Sequence, residues 1–224
     1  MDFKALNSFQ IEILKKTISH TSTFWLIQDA MFKNEGCSVI RFADGEYRII
    51  EDAKNYSGKF CAFGDEWNQI YGLENLDIQI LKNQLIDSGN NCRYLAPSIS
   101  GIWLDIYDGW HYFKPRQFYV DNFFPYGMLY EQIQHLLDNA KGVAYVQRDV
   151  HFSNDAKINR PDKNIKHIPL NSYKDIPDVI NSIVNSGCQL ILWAGGPIGK
   201  ILGPHIEKLG KIGLDIGSAM ERFV

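Results

Sequence analysis

Long apolar runs are missing from this sequence of 224 residues, and so is an excess of either charge. No stretch reaches membrane-spanning length, and the opening residues, MDFKALNSFQIEILKK, lack the uninterrupted apolar segment of a signal peptide. Lys and Arg total 23 against 26 for Asp and Glu, so the net charge of −3 provides no basic surface for nucleic acid. We therefore expect a cytoplasmic protein with no transmembrane segment and no nucleic-acid partner.

Cysteine is also scarce. The four cysteines, Cys37, Cys61, Cys92 and Cys188, are scattered, with neither a Cys-x-x-Cys pair nor a neighbouring His at metal-site spacing. We expect them to be small buried side chains in a reducing compartment.

Apolar residues make up 45% of the chain, which is enough for a full core. Helical spacing of apolar residues predicts helices over Leu6–His20 and Thr23–Lys33. We expect one domain over 1–224, with the N-terminal helices of 1–35 packed on it.

Strand and helix patterns alternate along the rest of the chain. Predicted strands are Ser38–Phe42, Phe60–Phe63, Arg93–Ala96, Gly142–Gln147, Lys166–Leu170, Gln189–Ala194 and Ile212–Ile216. One or two helices are predicted over Glu66–Ser88, and single helices over Tyr130–Ala140, Tyr173–Asn185 and Ile198–Leu209. This order predicts an α/β fold with a parallel sheet. In such sheets ligands bind beyond the carboxyl ends of the strands.

The segment Asp44-Gly45-Glu46 directly follows the predicted strand Ser38–Phe42. If the backbone there stays extended, both carboxylates point to one side and can chelate Mg²⁺ or Mn²⁺. The alternative is a solvated acidic loop.

Glycines follow two later strands. Gly195-Gly196-Pro197 leads from a strand into a helix, where free amides can bind an anion, although a tight turn without a ligand is an equal alternative. It fits neither the P-loop nor the dinucleotide fingerprint.

Asp215, inside the apolar strand before Gly217-Ser218, needs backbone amides or a nearby Arg or Lys if it is buried. It serves as a structural clamp or as a nucleotide contact.

An irregular polar stretch, Arg148–Asn164, is the best candidate for a mobile substrate loop. It contains Asp149 and His151, and His151 is a possible general base. A second stretch, 102–127, is rich in aromatic residues, some of which we expect to line a cleft.

Four segments, RFADGE, HIPLNSYKDI, LILWAGGPIGKILG and GLDIGS, occur in an order that resembles the GT-D glycosyltransferases. That bacterial family, once a domain of unknown function, is associated with adhesin glycosylation and glycan assembly. The resemblance covers roughly 38–223 and implies a Rossmann-like three-layer sandwich with a mostly parallel sheet.

The resemblance also assigns roles. It makes Asp44 and Glu46 the ligands of Mn²⁺ or Mg²⁺. It implies nucleotide contacts for a further set of residues: Arg41, Phe42, Asn171, Ser172, Tyr173, Gly195, Gly196, Pro197, Asp215, Gly217 and Ser218. Arg41 and Phe42 either support the metal motif or approach the nucleotide. The chain departs from the family pattern at Ala43, Ile198, Gly199 and Ser218, and its acid near the end is displaced to Glu221.

The function implied is metal-dependent transfer of a sugar from a nucleoside-diphosphate sugar, with a UDP-sugar as the first candidate, to a glycan or glycoprotein acceptor in bacterial surface polysaccharide or glycoprotein synthesis. The candidates for the base are Asp149, His151 and Glu221, without a ranking. The aromatic stretch from Trp103 to Tyr126 would provide stacking surface for the acceptor. Two alternatives stay open, a catalytically silent sugar-nucleotide or glycan-binding module and another nucleotide-using Rossmann-like enzyme such as a methyltransferase. Whether the chain forms a homodimer is also open.

Overall fold

The computed structural model describes residues 8–52, 73, 76–98, 112–149 and 164–223. Its strands are β1 (Thr17–Ile18), β2 (Cys37–Phe42), β3 (Tyr94–Pro97), β4 (Tyr119–Val120), β5 (Val143–Gln147), β6 (Ile165–Pro169), β7 (Leu190–Ala194) and β8 (Ile212–Asp215). Six of them form a parallel sheet in the order β3-β2-β8-β7-β5-β6, and β1 pairs with β4. The predicted α/β fold with a mostly parallel sheet is confirmed.

Helices cover both faces of this sheet. They are α1 (Ser8–Lys16), α2 (His20–Lys33), α3 (Asp44–Asp52), α4 (Ile78–Asn91), α5 (Phe124–Gly127), α6 (Tyr130–Asn139), α7 (Ile176–Asn185), α8 (Gly196–Gly199) and α9 (Leu202–Lys208), with 3-10 turns at Tyr173–Asp175 and Gly217–Arg222. Side chains alternate along each strand between two apolar clusters, as Val39 and Ile40 illustrate. One cluster includes α3, α4, α7 and α9 and the other includes α2, α5 and α6, which gives three layers.

The N-terminal segment differs from the single helix predicted over Leu6–His20. Helix α1 ends at Lys16 because Thr17 and Ile18 pair with Tyr119–Val120. Helix α2 then begins at His20, earlier than predicted, since the Ser19 hydroxyl accepts a hydrogen bond from the Ser22 amide and caps it.

The helix predicted over Ile198–Leu209 is two helices, α8 and α9, separated at Lys200 and Ile201. Pro204 has no amide hydrogen to donate to the Lys200 carbonyl, and its ring crowds that carbonyl. Between the two helices the hydrogen bonds span three residues instead of four: the Lys200 amide donates to the Pro197 carbonyl, and the Ile201 amide donates to the Ile198 carbonyl.

Cys37, Cys92 and Cys188 are buried free thiols, as predicted, and Cys61 lies outside the described residues. Burial raises the pKa of Cys37 and of Cys92 to about 12. The predicted strand Phe60–Phe63 and most of the loop Arg148–Asn164 also lie outside the described residues. Of the helices in the described part, none combines the length and apolar character needed to cross a bilayer.

Candidate active site

The predicted site segments meet at the carboxyl edge of the sheet, the edge at which all six parallel strands end. Register places Trp193 of β7 opposite Asp215 of β8, and Gln147 of β5 opposite Ala194 of β7. The segments that follow the strands are therefore neighbours: Ala43–Glu46 after β2, Ile216–Ser218 after β8, Gly195–Pro197 after β7, Asp149 after β5 and Asn171–Tyr173 after β6.

The acidic turn after β2 begins a helix rather than continuing the strand. Ala43 is the N-cap, because its carbonyl accepts from the Tyr47 amide at 3.2 Å, and the Glu46 Oε2 atom accepts from the Ala43 amide at 2.9 Å. This is the reach-back half of a capping box, with Glu46 at the third helical position. The expectation of an extended backbone at Asp44-Gly45-Glu46 is therefore wrong, and positions two apart on a helix do not share a face.

Glu46 and Asp215 share one buried cation, Lys200. The Lys200 Nζ atom lies 2.5 Å from Asp215 Oδ2 and 3.5 Å from Glu46 Oε1. Relative exposures are 4% for Glu46, 7% for Lys200 and 1% for Asp215. A charge taken from water this completely needs a partner of opposite sign. The Lys200 cluster, defined as Glu46, Lys200 and Asp215, thus joins the segments that follow β2, β7 and β8.

Arg41 connects β2 to the turn after β8. Its amide donates to Asp215 Oδ2 at 3.1 Å, and its Nη1 atom donates to the Ile216 carbonyl at 3.0 Å. The prediction that a backbone amide or a nearby Arg or Lys holds Asp215 is confirmed. Gly217 has φ +49°, and a Cβ there would lie 3.1 Å from Arg41 Nη1, so glycine lets the turn close over the guanidinium.

Phe42 has a structural role at the end of β2. Its ring is fully buried and packs edge-on against Phe113 with centroids 4.9 Å apart, so the ring is not placed to contact a nucleotide. Its carbonyl accepts from the Ser98 amide at 2.8 Å and from Asn122 Nδ2 at 3.1 Å. Asn122 also donates to the Ala96 carbonyl at 2.6 Å, which fixes the ends of β2 and β3 together.

The glycine turn after β7 differs from the predicted strand-to-helix anion site. Gly196 has φ +55°, and the Gly199 amide donates to the Gly195 carbonyl at 3.2 Å. Helix α8 has only four residues, so few aligned peptide dipoles stand behind the Gly196 amide. Pro197 is buried, whereas Gly196 is partly open at the carboxyl edge.

A second polar group follows β5 and β6. Asn171 Nδ2 donates to Asp149 Oδ2 at 2.8 Å, and the Asp149 amide donates to Asn171 Oδ1 at 3.0 Å. Asp175 Oδ2 in turn accepts from the amides of Asn171 and Ser172, both at 2.8 Å. Tyr173 is half-buried against the core. Asn171 therefore fixes the exposed Asp149 carboxylate at the carboxyl edge.

The turn after β8 carries two further predicted residues. Ser218 is exposed and its hydroxyl is hydrogen bonded to the Tyr126 hydroxyl. Glu221 is exposed on the same 3-10 turn. Arg222 anchors the turn by donating to the carbonyls of Pro125 and Met128, each at 2.8 Å. His151 lies outside the described residues.

The family resemblance implies a divalent cation at the acidic turn, and carboxylate oxygen is the donor chemistry that Mn²⁺ and Mg²⁺ prefer. Both oxygens of Glu46 already contact protein donors, the Ala43 amide and the Lys200 ammonium. Within the described ranges no group of three or more His, Cys, Asp or Glu side chains could hold a metal ion, and the Asp44 side chain lies outside them. Glu46 therefore does not fit as an open ligand, and Asp44 stays a prediction.

Sequence reasoning missed three residues of this site. Lys200 sits in an apolar helical pattern, and only the carboxylate inside strand β8 indicated that a cation had to be near. Asn122 binds backbone carbonyls that are distant in sequence, and Asp175 binds backbone amides in the turn after β6. No local sequence pattern reveals either set of contacts.

No family model and no curated protein matches this chain. Solved structures do share its fold. One, described as the highly conserved domain of unknown function 1792 with a distinct glycosyltransferase fold, has a TM-score of 0.62 at 16% identity and covers 90% of this chain and 78% of its own. A selenomethionine-substituted structure of domain of unknown function 1792 has a TM-score of 0.60 at 16% identity, and the match covers 93% of this chain and 82% of that one. A glycosyltransferase with this domain from Streptococcus sanguinis gives 0.55 at 16% identity, over 90% and 81%. The glycosyltransferase-type fold expected from the four motifs is confirmed.

Proposed function

We propose that this chain is a glycosyltransferase that transfers a sugar from a nucleoside-diphosphate sugar, first of all a UDP-sugar, to a glycan or glycoprotein acceptor in bacterial surface polysaccharide or glycoprotein synthesis. One observation carries the proposal. The five segments that follow β2, β5, β6, β7 and β8 converge on the carboxyl edge of a parallel sheet, and this fold is shared with structures described as having a glycosyltransferase fold or as a glycosyltransferase. Fold alone does not define an activity, so the chemistry of this edge has to supply the rest.

The donor diphosphate is assigned to the middle of the edge, over β7 and β8. Gly196 and Gly217 are partly open there and lack side chains, so phosphate oxygens can approach the backbone. The exposed Ser218 hydroxyl is a further donor for them. At the acidic turn Asp44 would hold Mn²⁺ or Mg²⁺, and the ion would supply Lewis-acid stabilisation of the leaving diphosphate.

Asp149 is our candidate for the general base. Its carboxylate is exposed, and two hydrogen bonds with Asn171 fix its position at the carboxyl edge. A base that removes the acceptor proton must be both accessible and oriented. Glu221 is also exposed but has no comparable orienting pair among the contacts of the described residues. Tyr126, which is 41% exposed, offers a ring for stacking of the acceptor sugar.

Calorimetric titration of nucleoside diphosphates and their sugars, with and without Mn²⁺, tests the donor site. We expect metal-dependent binding of UDP or another nucleoside diphosphate to the wild type and its loss in Asp44→Ala. Asp29→Ala, which removes an exposed acid from α2, is the matched control and should bind like the wild type. Binding indifferent to both the metal and Asp44 would refute metal-assisted donor binding.

A silent sugar-nucleotide-binding module is the second candidate function. It is favoured by the contact of Lys200 with Glu46, which replaces an open carboxylate with an ion pair. Such a module would bind a donor in the same titration but release no nucleoside diphosphate from it. A methyltransferase would instead bind its own cofactor and ignore every nucleotide sugar.

A further inference from the structure

The three side chains of the Lys200 cluster are charged and buried, so each charge needs a partner of opposite sign. Two carboxylates and one ammonium lie at exposures of 7% or less, at the point where three strands end. The backbone adds two donors, the Arg41 amide to Asp215 and the Ala43 amide to Glu46. Every carboxylate in the cluster is thus already held by a cation and an amide.

The ammonium stands where a divalent ion would bridge the same two acids. Mg²⁺ and similar ions require carboxylate oxygens at about 2 Å in near-octahedral geometry. The Lys200 Nζ atom contacts an oxygen of each acid, at 2.5 and 3.5 Å, and the Lys200 backbone amide donates to the Pro197 carbonyl in α8. An ion and this ammonium cannot occupy the space between Glu46 and Asp215 together.

We propose that Lys200 is a built-in cation of this site, which excludes a divalent ion from Glu46 and Asp215. Glu46 is then a positioning residue, which caps α3 and links it to β8 through Lys200, and is not a metal ligand. The inference deepens the proposed function, on which its relevance to catalysis rests, but the competition itself concerns only this chain and the ion.

The test is a titration of Mn²⁺ alone, with free Mn²⁺ measured by electron paramagnetic resonance. Lys200→Gln removes the charge but leaves an amide that can still donate to Asp215. We expect Lys200→Gln to bind Mn²⁺ at least tenfold more tightly than the wild type, and Lys200→Gln/Glu46→Gln to lose that gain. Lys211→Gln is the control. Lys211 directly precedes β8 and donates to the Cys188 carbonyl, so this variant should show no gain in Mn²⁺ affinity.

Equal Mn²⁺ affinity of the wild type and Lys200→Gln would overturn the proposal, and so would a tenfold loss on Glu46→Gln in the wild-type background. If Lys200→Gln folds poorly, Mn²⁺ should raise its melting temperature by more than it raises that of the wild type; an equal rise in both counts against the proposal. Because no nucleotide is present, failure here leaves the glycosyltransferase proposal intact. Failure of nucleotide binding likewise leaves this test valid.

Discussion

Replacing Lys200 with methionine should destabilise the fold more than most single substitutions. Lys200→Met keeps the apolar stem but removes the ammonium that lies 2.5 Å from Asp215 and 3.5 Å from Glu46. Both carboxylates then remain buried without a cation, and breaking a buried ion pair in this way costs about 3–5 kcal/mol. A loss of about 4 kcal/mol changes the folding equilibrium roughly a thousandfold.

Urea unfolding followed by circular dichroism measures this loss. Lys33→Met provides the control, since Lys33 pairs with Asp29 at 2.7 Å but both side chains are 57% exposed, so its midpoint should hardly move. Adding Asp215→Asn to Lys200→Met removes one uncompensated charge and should recover part of the stability. A Lys200→Met midpoint that matches the Lys33→Met midpoint would refute the view that Lys200 neutralises buried acids.

Four further predictions concern the fold that carries the site. Asn122→Ala should lower the free energy of unfolding by about 2 kcal/mol, because two strand-end carbonyls lose their donor; an unchanged urea midpoint would contradict this. Gly203→Ala should cost about 1–3 kcal/mol in the same assay, since its Cβ would lie 2.4 Å from Ile40 Cδ1, and a neutral result would mean that Ile40 moves freely aside. The pKa of about 12 for Cys37 and Cys92 should keep both unalkylated at pH 8 until the chain unfolds, as peptide mass spectrometry can show. Because these folded-state pKa values lie above the ordinary 9.0, the two thiols should also contribute a loss of stability as pH rises from 9.0 towards 12, and native labelling would contradict both expectations.

The parallel sheet could be predicted because its strands are short apolar runs bounded by polar or glycine residues. Predicted Gln189–Ala194, for example, is observed as Leu190–Ala194. Strand β1 could not be predicted, since two residues become a strand only through a partner much later in the chain. The break before α9 was visible in Pro204, but the apolar spacing on either side of it indicated one continuous helix.

The candidate site was predictable as a set of segments but not as a set of contacts. Strand ends and glycines indicated the carboxyl edge, because every parallel strand delivers its last residue there. Whether the backbone at Asp44 is extended or helical depends on Glu46. Its carboxylate accepts from the Ala43 amide, which is a local contact, and it also contacts Lys200, which is distant in sequence. Lys200 joins the site only once β7 and β8 are adjacent.

Release of nucleoside diphosphate from nucleotide sugars tests the central claim most directly. Wild-type protein would be incubated with Mn²⁺ and a panel of UDP- and other nucleoside-diphosphate sugars, with and without glycan acceptors, and Asp149→Asn would be measured beside it. A glycosyltransferase should release diphosphate from one donor class, faster with an acceptor present, and Asp149→Asn should lower kcat at least tenfold with little change in donor KM. Donor binding without any release, in the wild type and with every acceptor, would contradict the account and leave the silent module as the function.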